Sequence, residues 1–502
     1  LSNQKGKAAM EFNSAGFLLF FPAVYLAYYL APQRYRWALL LAGSYLFYLS
    51  LLKPFLVLVL GAVTMAAYLS AMAMEKARDD GGKKRIFWAG AGFCILTLAV
   101  LKYSAFAASN LNGLLRLGHA GLQIPAIPLL PSIGVSYYTF QAISYLADVY
   151  LGRQKPEPHP GYFALYMGFF PKLLMGPIER GGDLLPQLKA PFSFNYDNAR
   201  SGAFLFALGL FKKVVVADRL GIYVNAVFGG VREYGGVVFI FTLFLYSLQI
   251  YYDFSGYTDM ALGTARLFNV RLTQNFDRPY FALSIADFWR RWHISLSRWL
   301  MDYLFMPLQV KFRSLGAICT PLSLVIVFLT CGLWHGAGWT FIAWGAIHGV
   351  YMVASTLTRN LRKKLETAVG LSRIPAVERL LKGMGTFALV AFAWIFFRAE
   401  SPGDALYVAG HVFAPGAFSP EMVIKPISGV MHFFEFFQAA MISIIVIELA
   451  LSVARLKKLD GIESLVLGLP APARWLIYLA LVNGIIMLGS AGVSYKFIYL
   501  QF

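Results

Sequence analysis

The chain has 502 residues, of which 58% are hydrophobic, 16% aromatic and only 14% charged, a balance that excludes an ordinary soluble globular protein. Its formal net charge is +19, but the lysines and arginines stand in short clusters between apolar runs, the pattern of membrane topology and not of nucleic-acid binding. Cys94, Cys319 and Cys331 lie in or beside apolar runs without CxxC or metal-ligand spacing, so neither a disulfide framework nor a zinc site is indicated.

The first nine residues, LSNQKGKAA, read as an artificial extension ahead of a native start at Met10, leaving 10–502 as a single membrane domain. Apolar stretches that span, or nearly span, a bilayer follow at 17–30, 37–52, 54–74, 86–108 and 132–150, then at 203–216, 236–252, 317–334, 339–357, 384–397, 433–453 and 475–491. At about 20 residues per span they predict an all-α polytopic membrane protein with about 11 to 13 membrane segments. Between 161 and 188 the text GYFALYMGFFPKLLMGPIERGGDLLPQL is apolar but interrupted by Pro171, Pro177 and Pro186. Irregular backbone at membrane depth needs protein or a watery cavity around it, so a re-entrant or broken-helix region is expected there. The connections carrying Arg34 and Arg36, Lys76 with Arg78 and Lys83–Arg85, and Arg359 with Arg362–Lys364 predict the cytoplasmic side. The stretch 400–432 has one lysine and no arginine and reads as an outer loop, which puts both termini outside the cytoplasm.

Two stretches carry candidate chemistry. In TCGLWHGAGW, His335 follows an uncharged run from Ala317 to Trp334, about 27 Å of helix, so it sits a full span from the basic inner edge at Lys311 and Arg313. Apolar surroundings disfavour imidazolium and keep a neutral ring nitrogen available as a general base. Gly332, Gly336 and Gly338 permit close approach of a substrate or another backbone. A satisfied histidine in an aromatic interface belt with Trp334 and Trp339 fits the residues equally well. In SIADFWRRWHISLSRWLMDY, 284–303, Ser284 and Asp287 form a helix-start signal, Asp287 is placed to pair with Arg291, and the pattern runs helically to about Leu300 with His293 on the helix. Arg290, Arg291 and Arg298 around His293 offer cations either to a phosphate-bearing donor or to lipid headgroups. Upstream, Asp253 and Asp259 stand beside a span, where they orient side chains and line a cavity or simply cap a loop. His348 reads as structural, Cys331 as a small buried thiol, and the isolated pair His432 and Glu435 is insufficient for a metal site.

These residues carry a resemblance. The run NFDRPYFALSIADFWRRWHISLSRWLMDYLFMPL followed by TCGLWHGAGWTFIAWGAIHGVYM, together with FNSAGFLLFFPAVYLAYYL, KLLMGPIER and DFSGYTDMALG, is similar to the membrane-bound O-acyltransferases. The match is to the bacterial branch that handles alginate, peptidoglycan and teichoic acid. The chain departs from that pattern after Leu308, where QVKFRSLG stands in place of glycines and a basic residue. The resemblance implies a ring of helices around a thinned centre, with a cytoplasmic tunnel and an outer funnel. It makes His335 the catalytic histidine and His293 the second family histidine, with Trp334 beside them. The ending FIYLQF resembles an aromatic motif of the same branch in which a tyrosine carries the acyl group, here Tyr499; an interface anchor is the other reading of that residue.

The activity implied is transfer of an acetyl group from a cytoplasmic thioester, acetyl-CoA, for O-acetylation of an extracytoplasmic polysaccharide such as alginate. No cofactor is bound, and the implied partners are an SGNH-hydrolase-like acetyltransferase, the polysaccharide acceptor and membrane lipid. The implied location is a bacterial inner membrane. A transporter or flippase of a lipid-linked or acylated substrate, a scaffolding subunit, and D-alanyl in place of acetyl transfer are the alternatives.

Overall fold

The computed structural model describes residues 10–51, 54–118, 122–125, 134–414, 420–428, 430, 432–489 and 497–500. The reading of the first nine residues as an extension falls outside that range, as do the tail residues on either side of 497–500. Among the described residues the regular structure is all helical, with no strand; a single antiparallel bridge pairs Phe276 with Trp292. Eight of the described helices are long and apolar enough to cross a membrane. Other expected spans take shorter or segmented forms, such as the 14-residue helix Arg36–Leu49, which at about 21 Å cannot cross a core of about 30 Å alone. The chain divides into two compact units.

Unit 1 comprises Leu1–Leu210 and Tyr257–Thr273. It holds α1 (Ala15–Leu30), α2 (Arg36–Leu49), α3 (Phe55–Lys76), α4 (Asp80–Leu117), α5 (Val135–Tyr150), α6 (Pro160–Gly168), α7 (Phe170–Leu173), α8 (Gly181–Lys189) and most of α9 (Tyr196–Phe211). Side-chain caps start α1 and α4: Ser14 accepts from the Phe17 amide and Asp79 from the Gly82 amide. Helix α5 packs on α3 and α4 and buries every residue except Ile143 and Tyr150, which explains its unusual load of aromatic and polar side chains.

The broken region expected at 161–188 is present as α6, α7 and α8, and its polar groups are satisfied by protein. Gln141 donates to the Tyr166 carbonyl at 2.8 Å, and Lys172 Nζ donates to Gln141 Oε1 and, at 3.4 Å, to the Met167 carbonyl. Glu179 accepts from the Thr273 amide at 2.6 Å and from its hydroxyl at 3.2 Å. This is the internal satisfaction that non-helical backbone in an apolar setting requires.

Unit 2 comprises Phe211–Gly256 and Gln274–Phe502. A π-helical turn, Lys212–Ala217, leads into α10 (Asp218–Phe228), followed by α11 (Val237–Leu267), whose last turns count with unit 1. Then come α12 (Ile285–Arg291), α13 (Ile294–Leu300), α14 (Met306–Lys311), α15 (Cys319–His335), α16 (Trp339–Leu357), α17 (Arg359–Ala368) and α18 (Pro375–Arg398). The series ends with α19 (Pro402–His411), α20 (Pro420–Ile424), α21 (Phe433–Leu456), α22 (Ile462–Leu467) and α23 (Ala471–Leu488).

The tightest helix pair is α15 on α16. Gly332 and Gly345 face each other there: a Cβ on Gly332 would lie 2.3 Å from the Phe341 carbonyl oxygen, and one on Gly345 2.3 Å from that of Phe328. Of the glycines flagged in the sequence, Gly332 therefore serves a backbone crossing, whereas a Cβ on Gly336 would meet the Phe341 ring and one on Gly338 nothing nearer than 3.6 Å. Helix α23 buries none of its side chains; Arg219 holds its end by donating to the Leu488 carbonyl at 2.8 and 3.0 Å and to that of Gly489 at 2.8 Å.

Candidate active site

The last residue of α15 is His335, where Gly336 turns the chain into extended backbone and releases it toward α16. Its imidazole is 4% exposed and boxed by aromatic rings. Trp334, Trp344 and Phe397 lie at ring-centroid separations of 4.9, 5.0 and 5.3 Å. The expectation that His335 ends a span is met, and its position is fixed by the α15 and α16 hairpin that the paired glycines draw together.

His293 is not on a continuous helix, contrary to the sequence reading. Helix α12 stops at Arg291, and His293 takes the left-handed conformation (φ 45°, ψ 55°) before α13 begins. A non-glycine residue pays on the order of 1 kcal/mol or more for that geometry, so something else must hold it. Asn275 does: its carbonyl accepts from the Ile294 amide at 3.0 Å and its Oδ1 from the Ser295 amide at 3.1 Å. The Asp277 amide donates to the Arg291 carbonyl at 3.0 Å, and Phe276 bridges to Trp292. The fully buried His293 ring then meets Phe254 at 4.8 Å and Trp334 at 5.8 Å.

Tyr499 joins the two histidines. Its ring centroid lies 5.4 Å from that of His335 and 6.4 Å from that of His293, and the two imidazoles are 6.4 Å apart. Phe254 packs under it at 4.3 Å and Phe397 beside it at 5.8 Å. Asp253, expected to orient side chains, is 1% exposed and accepts the Ile498 amide at 2.8 Å on Oδ2 and Lys213 Nζ at 2.7 Å on Oδ1. Lys213 also pairs with Asp218 at 2.7 Å. Two imidazoles and a phenol thus lie together among aromatic rings, groups of the kind that serve as general base and nucleophile.

Other expected site residues lie elsewhere. The three arginines do not surround His293: the Arg290 side chain is 72% exposed, Arg298 is exposed, and Arg291 is tied to Asp287 at 3.0 Å and Asp277 at 4.0 Å. The imidazole is fully buried at the left-handed residue between α12 and α13, while Arg290 and Arg298 are exposed. Burial works against ionisation of Asp287, but hydrogen bonds from Arg291 and the Leu283 amide, with the charges of Arg291 and Arg290, hold its carboxyl below the ordinary range. Asp259 is half-buried in unit 1 and is not among the residues gathered here. His348 accepts from Trp289 Nε1 at 3.2 Å and stacks on Phe288, the structural role expected of it. Lys213, Asp218 and Asn275 escaped the sequence reading; a lysine inside the apolar run 203–216 was the one available signal for the first.

A sequence model of the membrane-bound O-acyltransferase family matches residues 154–388. The chain is 36% identical over 410 residues to a Pseudomonas putida protein named "Probable alginate O-acetylase AlgI", covering 81% of each chain. It is 32% identical over 432 residues to a Helicobacter pylori peptidoglycan O-acetyltransferase, covering 79% of this chain and 78% of that one. To a Streptococcus thermophilus teichoic acid D-alanyltransferase it is 28% identical over 286 residues, covering 54% of this chain and 68% of that one. With its apolar spans, these similarities establish that the chain is a multi-pass membrane O-acyltransferase belonging to the membrane-bound O-acyltransferase family.

Proposed function

We propose that the protein takes an acetyl group from acetyl-CoA on the cytoplasmic side of a bacterial inner membrane and passes it outward for O-acetylation of a polysaccharide. His335 acts as the base. It removes the phenol proton of Tyr499 as the phenol oxygen attacks the thioester carbonyl; the C–S bond breaks, CoA leaves as the thiol carrying that proton, and the acetyl group remains as an ester on Tyr499. His293 lies beside the same phenol and supports the imidazole and the incoming thioester. The exposed guanidinium groups of Arg290 and Arg298 suit the donor's phosphates, with Arg291 held beside them by Asp287. Trp334, packed against both imidazoles, lines the donor's approach.

The clustered basic loops put both termini on the outer side, where an SGNH-hydrolase-like partner collects the acetyl group and sets polymer choice. Acetyl is favoured over D-alanyl because the relatives named for acetyl transfer are 36% and 32% identical against 28% for the D-alanyl one.

The observation that carries this reading is the meeting of the His293, His335 and Tyr499 rings in one buried pocket, from three remote segments. Labelled acetyl-CoA supplied to purified protein tests it. His335→Ala is expected to lower CoA release by roughly 100-fold or more, the usual yield of a general base. Tyr499→Phe is expected to abolish acetylation of the polymer. Unchanged turnover in the first variant refutes the base, and full polymer acetylation in the second refutes the relay.

A further inference from the structure

The C-terminal segment is gripped by its main chain. Asp253 Oδ2 takes the Ile498 amide at 2.8 Å while Lys213 holds the other carboxylate oxygen at 2.7 Å. The Lys213 ammonium also lies 4.6 Å from the centroid of the buried Phe497 ring. The side chains of Lys213, Asp218 and Asp253 are each no more than 2% exposed. We propose that Asp253, held by Lys213, is a positioning residue that fixes the register of the C-terminal segment so that residue 499 and no neighbour meets His335. This rests on the reading of Tyr499 as the acyl-accepting residue.

Three physical points support it. A carboxylate bonded to a backbone amide is indifferent to the side chain it holds but strict about position. A slip of one residue would bring Ile498 or Leu500, neither of which carries a nucleophile, to the imidazole. The captured amide belongs to the first residue of the short helix Ile498–Leu500, where an N–H has no partner within its own helix and is open to an outside acceptor.

The grip is charge-assisted, and its orientation depends on an uncommon local geometry. Lys213 lies in the π-helical turn, where the Asp218 amide bonds back to the Lys213 carbonyl five residues earlier. On an α-helix residues five apart diverge by roughly 140°. The wider turn brings both side chains to one side, so the ammonium bridges Asp218 and Asp253. The intrachain ion pairs answer the charge of Asp253, leaving its second oxygen to the tail.

Ile498→Pro removes the donor with little other change. Proline suits the first position of a helix and keeps the ion pairs intact. Full-length protein is incubated with labelled acetyl-CoA, and CoA release, label on the Tyr499 peptide and the thermal midpoint are measured. The expected result is a kcat lowered at least tenfold, with KM for acetyl-CoA within twofold of wild type, an unchanged midpoint, and rescue when the residue is Val instead. Asp253→Ala removes the same tail hydrogen bond together with the buried Lys213 ion pair, so its kcat is expected to fall at least as far as that of Ile498→Pro. Wild-type labelling and kcat in Ile498→Pro would overturn the register assignment and leave the relay standing. A kcat that falls only in step with the midpoint would overturn it in favour of plain stabilisation. No label on wild-type Tyr499 would overturn both.

Discussion

Replacing Gly332 by alanine perturbs the crossing of α15 and α16 at its narrowest point. The new Cβ would stand 2.3 Å from the Phe341 carbonyl oxygen and 3.3 Å from the Gly345 Cα. Ordinary contact needs about 3.4 Å, so the helices must part locally by about 1 Å, and neither close neighbour is a flexible side chain that can swing away. Overpacking of this kind costs about 1–3 kcal/mol. The functional cost is larger in proportion, because His335 lies less than one turn further on and Trp344, from α16, packs on its ring. A displacement of about 1 Å at a reacting group is enough for roughly 100-fold in rate. The control is Gly349→Ala on α16, where a Cβ meets nothing nearer than 3.5 Å and alanine improves helix propensity. Steady-state acetyl transfer and thermal unfolding in detergent would be compared for the two variants. A Gly332→Ala protein with the turnover and midpoint of Gly349→Ala would show that the crossing does not place the histidine.

Asn275→Ala leaves the Ser295 amide without its acceptor in a buried setting, a loss of about 1–3 kcal/mol, and frees His293 from its left-handed geometry. Midpoint and kcat should fall together, whereas Asn275→Asp, which keeps an acceptor oxygen, should retain most of both; an Ala variant equal to wild type would contradict the clamp. The start of α12 should weaken in acid. The folded carboxyl of Asp287 titrates below its unfolded value, so its contribution is present above the unfolded pKa and is lost as pH falls through the lower folded one. Amide protection in 284–291, taken relative to the intrinsic exchange rate at each pH, should fall below about pH 4, and Asp287→Asn should remove that pH dependence; wild-type protection that stays flat through the acid range would count against the pairing.

Local signals carried much of the architecture. The Ser284 cap on the Asp287 amide and the Asp287 to Arg291 pair follow from spacing alone, and both form. The prolines of 161–188 announced a segmented path, which α6, α7 and α8 follow. His335 was legible because one uncharged run measures its depth. What stayed hidden depends on contacts between distant residues. Nothing in the apolar rhythm of 284–300 marks the left-handed break at His293, which is held by Asn275 from another segment. Lys213 and Asp253 are 40 positions apart and meet only because of a π-helical turn that no pattern in 203–216 encodes. Arg290 and Arg298 looked like neighbours of the histidine along the chain, but they are exposed and the histidine is fully buried.

Helix α23, which buries none of its side chains, has a practical consequence for handling the protein. The close fit of Gly484 against the Phe211 ring and the guanidinium grip of Arg219 tie it on one side, and the rest of its apolar surface is open to acyl chains. Harsh extraction would therefore dislodge this helix first, and mild, lipid-supplemented micelles or nanodiscs are the preparations in which activity should survive purification.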